Sequence, residues 1–440
     1  MTEVDSAGAA DPDPEGTVSR DALLGINFAV EAGKQMLESS TSVSEVIDRL
    51  RRFLPAIGLR GCSVDADMGS VTVSHWEPGQ AVPLTMMRDL NISAPRLGIL
   101  SGTEALLDRV EAGEIDLDSA FDELRALVSA PPQKSWTTRA ALLLAVLGWV
   151  TFLDGLGPVT VLVAFLATAL TFPIERLVRL LQLPVVAVTF FVAVIVAAIP
   201  NLLAAAGLTL LVGSAVVASL YIYLPGRALV SSVIDGLANS PLSSLSRGIE
   251  ALLTAGFLAL GMLVGNKIGA GLGLDYTPDV SATPLVESVA GAAIGVLGIA
   301  IAWSMPRAQL APTVLIGAGS WLIVALSTDA GGRSDWPAYA AAAAAVGVAG
   351  VVAATAQRSS TSIYVGVAIM PLVPGFILYT GMLAIAQGDS SAAGPVLADA
   401  GILALAIAIG VAIGVGIGRN VIAIASRLRA GALPPGQPRA

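Results

Sequence analysis

The chain has 440 residues, 55% hydrophobic and 13% charged, with a mean hydropathy of +0.78, which excludes an ordinary soluble protein and puts most of the chain in lipid. Residues 1–139 hold 22 of the 33 acids and 12 of the 24 basic residues, so the net charge of −9 belongs to a soluble front segment and points to no nucleic-acid partner. One cysteine, Cys62, and one histidine, His75, exclude a disulfide framework and a cysteine or multi-histidine metal site, so neither metal nor cofactor is expected.

Residues 1–18 are acidic and rich in Ala, Gly and Pro, without a basic stretch leading into an apolar core; they read as a disordered tail, not a signal peptide. Ser19 suits the cap of a helix running to about Ser39. After a turn at 40–42, a second helix sets Val43, Val46, Ile47, Leu50, Phe53 and Leu54 at three-to-four spacing before Pro55 and Gly58 end it. The period then becomes alternating. Cys62, Val64 and Ala66 interleave with Ser63, Asp65 and Asp67, and a like run follows over 71–76, predicting two strands joined at 68–69. A third strand near 83–88 and helices near 96–111 and 117–130 complete a small cytoplasmic α+β domain over 19–133. Glu31, Lys34, Glu38, Arg51, Asp65, Asp67 and His75 contain no nucleophile–base pair at a diagnostic spacing, so no catalytic residue is assigned; a solvated face on a regulatory or docking module is expected.

Beyond the basic joint at Lys134 and Arg139, apolar runs near 140–155, 158–174, 184–200, 207–224, 249–266, 285–304, 309–327, 337–356, 362–386 and 395–418 predict a mostly α, polytopic membrane protein of about ten spans. They group as two five-span modules, 134–270 and 280–420, followed by a cytoplasmic tail over 421–440. With the front domain inside, every basic residue from Lys134 onward falls on the cytoplasmic side except Lys267 and Arg333. Both termini are then cytoplasmic.

Leu224-Pro225-Gly226 at the end of span four returns as Val373-Pro374-Gly375 in span nine, 149 residues later. Five spans followed by five similar ones run in opposite orientations, a 5+5 inverted repeat of the kind that secondary transporters use, with substrate held between the halves. Proline removes a helical hydrogen bond and the following glycine lets the chain turn, so both spans should break there; broken helices expose amides and carbonyls that suit a small zwitterion. A simple packing kink is the other reading. Tyr221, Tyr223, Asn239, Tyr379 and Thr380, with Asn201 and Asn266, could bond a substrate hydroxyl, though each also reads as an interfacial or packing residue. Arg227 and Asp235 follow the first break, whereas Phe376 and Ala384 stand at the aligned positions of the second. If the chain folds back into the membrane here, Asp235 is a proton-coupling or gating group; if it runs into the cytoplasm, Asp235 is a surface acid. No phosphate-binding GxxxxGK[ST] loop occurs, which argues against ATP-driven chemistry, and Gly414 and Gly418 read as close helix packing in lipid.

The front helices around Phe28–Val46, the Ala56-Ile57-Gly58-Leu59 that follows, Leu224-Pro225-Gly226 with Asp235 downstream, and Val373-Pro374-Gly375 resemble the bacterial threonine/serine exporter family over nearly the whole chain after residue 19. The resemblance implies a soluble domain followed by two five-span modules in the cytoplasmic membrane. It also implies export of L-threonine and L-serine driven by protons, with membrane lipid as surroundings and self-association left open. The chain departs at Ser40–Thr41, where the family commonly has a glycine-containing turn. Relatives with the modules on separate chains resemble exporters of dicarboxylates such as succinate, which is the second reading; a membrane-anchored enzyme or sensor is the third.

Overall fold

The computed structural model describes all residues except 1–18, 40, 77–81, 92–94, 132, 155–156, 238–239, 271–282, 328–334, 387 and 432–440. The tail read over 1–18 lies outside the described residues.

In the front domain, α1 (Arg20–Glu38) and α2 (Val43–Ala56) pack on a three-stranded antiparallel sheet, β1 (Cys62–Ala66), β2 (Ser70–His75) and β3 (Leu84–Asp89), in the order β1-β2-β3. Ser19 takes the cap position of α1 without a side-chain capping bond, while Ser42 caps α2 by accepting from the Glu45 amide at 3.3 Å. Asp67 turns the first hairpin, its Oδ1 accepting from the Gly69 and Ser70 amides at 2.6 and 2.7 Å. Two further helices, α3 (Leu97–Glu111) and α4 (Leu117–Ser129), close the domain; Asp116 caps α4. The core is where the alternation placed it: Val71 and Val73 point inward against Phe28, Phe53 and Phe121, the last two packing their rings on Phe28.

The membrane part follows as α5 (Ser135–Asp154), α6 (Pro158–Leu180), α7 (Val185–Ala205), α8 (Val212–Leu220), α9 (Gly226–Leu237) and α10 (Pro241–Ala270). The second half comprises α11 (Leu285–Ala302), α12 (Arg307–Ser327), α13 (Trp336–Gln357), α14 (Thr361–Ala368), α15 (Gly375–Ala386) and α16 (Ser390–Gly431). Among the described residues eight helices are long and apolar enough to cross a bilayer, nine if α14 and α15, bent by 50° at their break, count as one span. The remaining predicted span is split likewise: its apolar part, Val212–Tyr223, is too short alone, and α9 continues it after Pro225. At the far end α16 runs on to Gly431, into the stretch assigned to the tail.

Helix crossings make the internal repeat visible. A Cβ on Gly261 or Gly265 of α10 would meet the carbonyls of Phe190 or Val194 on α7 at 2.4 and 2.6 Å. On α16, Gly410 and Gly414 stand in the same relation to Ala340 and Ala344 on α13, at 2.3 and 2.1 Å. Each contact is thus repeated about 150 residues on, with both pairs running parallel. The first helices of the two halves cross each other directly: Ala145 meets Gly298, Gly148 meets Gly295 and Phe152 meets Gly291. One index rises as the other falls, so α5 and α11 are antiparallel and the halves are inverted.

The front domain sits on one end of the second half. The Leu97 amide donates to the Trp303 carbonyl at 2.9 Å, Ser304 Oγ donates to Gln133 at 2.8 Å, and Gln309 Nε2 donates to Ser101 and Ser359 Oγ, each at 3.0 Å. Glu45 accepts from Ser360 Oγ at 2.9 Å and also from Ser362 Oγ.

Candidate functional site

Both breaks form where proline interrupts the helix. Leu224 and Val373 are extended, with ψ of 131° and 129°, and α9 and α15 restart at the glycines that follow Pro225 and Pro374. The two breaks touch. Tyr221 Oη donates to the Met370 carbonyl at 2.6 Å, and these residues are themselves 149 apart, so the bond joins equivalent positions across the repeat seam. A Cβ on Gly375 would lie 2.8 Å from Leu224 Cδ1, so the second break is seated on the first.

Around this seam lies an aromatic cluster. Tyr221 stacks on Trp149 with centroids 3.9 Å apart, Trp149 meets Phe152 edge-on at 5.8 Å, and Phe152 meets Trp321 at 4.5 Å. The indole N–H groups of Trp149 and Trp321 and the hydroxyls of Thr168 and Ser214 are buried with no hydrogen-bond partner among the described residues. An unpaired buried polar group costs about 1–3 kcal/mol. The two indole N–H groups belong to the aromatic cluster at the seam and are what a polar guest there would satisfy.

Beyond the first break, α9 folds back on the start of α10: Ser232 Oγ donates to the Ser244 carbonyl at 2.7 Å, and Val230 packs among Leu372, Ala404 and Ile407. Asp235 is therefore fully buried and ion-paired, its Oδ2 2.8 Å from Arg247 Nε, although neither carboxylate oxygen takes an aligned hydrogen bond among the described residues. In the second half Gly381, the counterpart of Ser232, packs against Val396 and Leu397, an apolar contact. Tyr223 donates to Glu175 and lies 3.3 Å from Thr171 Oγ1. Tyr379 is buried, with its ring 6.3 Å from Phe376, and Thr380 Oγ1 donates to the Ile377 carbonyl of its own helix at 3.0 Å. Asn201 donates to Asn266 at 3.1 Å, joining α7 to α10. Asn239 and the side chain of Arg227 lie outside the described residues. No group of three His, Cys, Asp or Glu side chains suited to a metal is found among the described residues.

Two participants were missed in the sequence. Glu175 is the one acid of α6, but it follows the apolar run read as the second span and stands beside Arg176, so in the sequence it looks like a boundary charge. Trp149 carries no signal, since its contact with Tyr221 spans 72 residues and depends on how α5 crosses the seam.

Two interrupted spans meeting at the seam of an inverted repeat, with unpaired polar groups sealed beside them, define a polytopic helical membrane protein built like a secondary transporter. The chain belongs to the threonine/serine exporter family: residues 27–269 match the model described as putative threonine/serine exporter, and residues 288–417 the one described as Threonine/Serine exporter, ThrE. It is 27% identical over 382 residues to a probable threonine/serine exporter of Mycobacterium tuberculosis, covering 83% of this chain and 70% of that protein. It is 24% identical over 413 residues to a threonine/serine exporter of Corynebacterium glutamicum, covering 87% and 81% respectively. No solved structure matches the chain.

Proposed function

We propose that this protein exports L-threonine and L-serine across the bacterial cytoplasmic membrane, driven by the proton motive force, with the front domain and both termini in the cytoplasm. The observation that carries the transport reading is the joined pair of breaks: Tyr221 holds the Met370 carbonyl where α8 and α14 both end, so a change at one break is felt at the other. The names of the relatives support the substrate. The orphaned indole N–H groups of Trp149 and Trp321 at the seam suit a small zwitterion with a hydroxyl. Dicarboxylate export is the weaker reading, because Arg247, the buried cation near the breaks among the described residues, is already paired with Asp235. Asp235 and Glu175 are the groups proposed to carry or gate the proton.

Proteoliposomes loaded with unlabelled amino acid should accumulate labelled threonine and serine by counterflow, and succinate should stay out; uptake of none of the three would end the transport reading. Asp235→Asn is expected to abolish accumulation driven by a pH gradient while leaving counterflow within about twofold. Unchanged gradient-driven accumulation would remove Asp235 as the proton carrier.

A further inference from the structure

A cavity of about 700 Å³ opens between the front domain, the junction of α13 with α14, and Arg419 of α16, away from the breaks. Its walls carry charges of both signs, but the two signs are not equally engaged. Arg49, buried in the wall, holds Glu104 at 3.1 Å, Asp108 at 2.7 Å and Glu111 besides, and Glu45 is held by Ser360 and Ser362. Of the lining acids only Asp48 is left without a side-chain partner among the described residues. The cations are the reverse case: the side chains of Arg51, Arg358 and Arg419 have neither an ion pair nor a hydrogen bond among the described residues, while Arg52 reaches the Asp48 carbonyl at 3.3 Å and acts on Asp108 through its charge. The five acids and five arginines of the lining balance in formal charge, but they are segregated: the carboxylates gather on Arg49 and the two serines, and the guanidiniums of Arg51, Arg358 and Arg419 stand apart from them.

The position of these arginines indicates what kind of anion they face. Arg419 is the first charged residue after the apolar run from Ala400 to Gly418, and Arg358 the first after the uncharged run from Trp336 to Gln357. The helices α13 and α16 run parallel and touch where Gly418 meets Val351, so both guanidiniums emerge at the same membrane face, at headgroup depth. Arg358 occupies the left-handed C-cap of α13, with φ of 47°, a place where glycine is the unstrained choice. Beside them Val352, Ile417 and Val421 are about half exposed, as residues covered by acyl chains would be.

We propose that this cavity binds a phosphate-bearing anion, presented as the headgroup of an acidic phospholipid, between Arg51 of the front domain and Arg358 and Arg419 of the second half. Guanidinium forks match phosphate oxygens in a charge-assisted geometry, and the apolar flank gives the lipid tail a path that a free anion does not need. The bound headgroup would tie the front domain to the membrane helices through a shared counter-ion.

The test is thermal unfolding of the purified full-length protein in detergent, titrated with phosphatidylglycerol, phosphatidylcholine or inorganic phosphate. Phosphatidylglycerol should raise the midpoint saturably, phosphatidylcholine and phosphate at equal concentration should not, and the Arg51→Gln/Arg358→Gln/Arg419→Gln variant should need at least tenfold more lipid for the same shift. If phosphate acts as well as phosphatidylglycerol, the headgroup assignment falls. If the variant responds like the parent, or no anion shifts the midpoint, the site is overturned. Loss of a threonine-induced shift in the variant, with no response to phosphatidylglycerol in the parent, would assign the cavity to the zwitterion and overturn the proposal.

Discussion

Arg49 is 5% exposed and faces three carboxylates, an arrangement in which burial and pairing oppose each other. For Glu104 burial wins: it pushes the carboxyl up from 4.5 to about 7, helped by the nearby Glu45 charge and resisted by Arg49. Asp108 moves up for the same leading reason. A native carboxyl that holds its proton to higher pH than the unfolded chain contributes stability at low pH and loses it as pH rises through about 7. A shift of that size corresponds to about 3 kcal/mol. The unfolding midpoint should therefore fall between pH 5 and 8 and level off above. Glu104→Gln should flatten most of that slope, leaving the smaller part due to Asp108, whereas parallel slopes in the two proteins would assign the dependence elsewhere. None of this was legible in the sequence. Arg49 lies 55 to 62 residues from its partners, and the sequence reading singled out Arg51, on the outer face of the same helix, instead.

At the scale of the helix, the glycines decide how closely spans approach. The glycine-rich end of the chain was readable as close packing, and Gly410, Gly414 and Gly418 do face α13. What could not be read was the partner helix, because in lipid every span is apolar and periodicity does not distinguish one neighbour from another. The repeat itself was legible through its Pro-Gly pair, since proline marks a backbone event that survives when side chains have diverged. Two neighbouring glycines separate packing from propensity. A Cβ on Gly414 would come within 2.1 Å of the Ala344 carbonyl, which is backbone and cannot turn aside, while one on Gly416 would meet nothing within 4 Å. Gly414→Ala should force α13 and α16 apart at a cost of about 1–3 kcal/mol, beyond any gain in helix propensity. Gly416→Ala should be neutral or slightly stabilising. Melting of the purified variants in detergent checks the contrast, and equal midpoints would show that the crossing relaxes freely.

Across the whole molecule, the front domain and the second break are mechanically in series. Glu45, at the start of α2, grips Ser360 and Ser362 at the start of α14, and α14 ends eight residues later just before the turn that leads to Pro374. A helix so short has little stability of its own, so its position is set by its packing on α12 and α13 and by what holds its two ends. One end is held by Tyr221 of the first half through Met370, the other by the front domain. The domain is thus placed to bias which way the second break leans, and the docking role expected for it from sequence acquires a specific contact. Hydrogen bonds to a charged acceptor contribute about 1.5–3 kcal/mol each, so Glu45→Ala should free the start of α14 without touching the domain core. Amide exchange over residues 359–364 is expected to rise at least tenfold while exchange in β2 and α1 stays at the parental rate. Gradient-driven export by the same variant should fall, because α14 can no longer transmit the domain's position to the break. Faster exchange in β2 and α1 as well would mean that the substitution unfolds the domain, and unchanged exchange at 359–364 would show that α14 is held by the membrane helices alone.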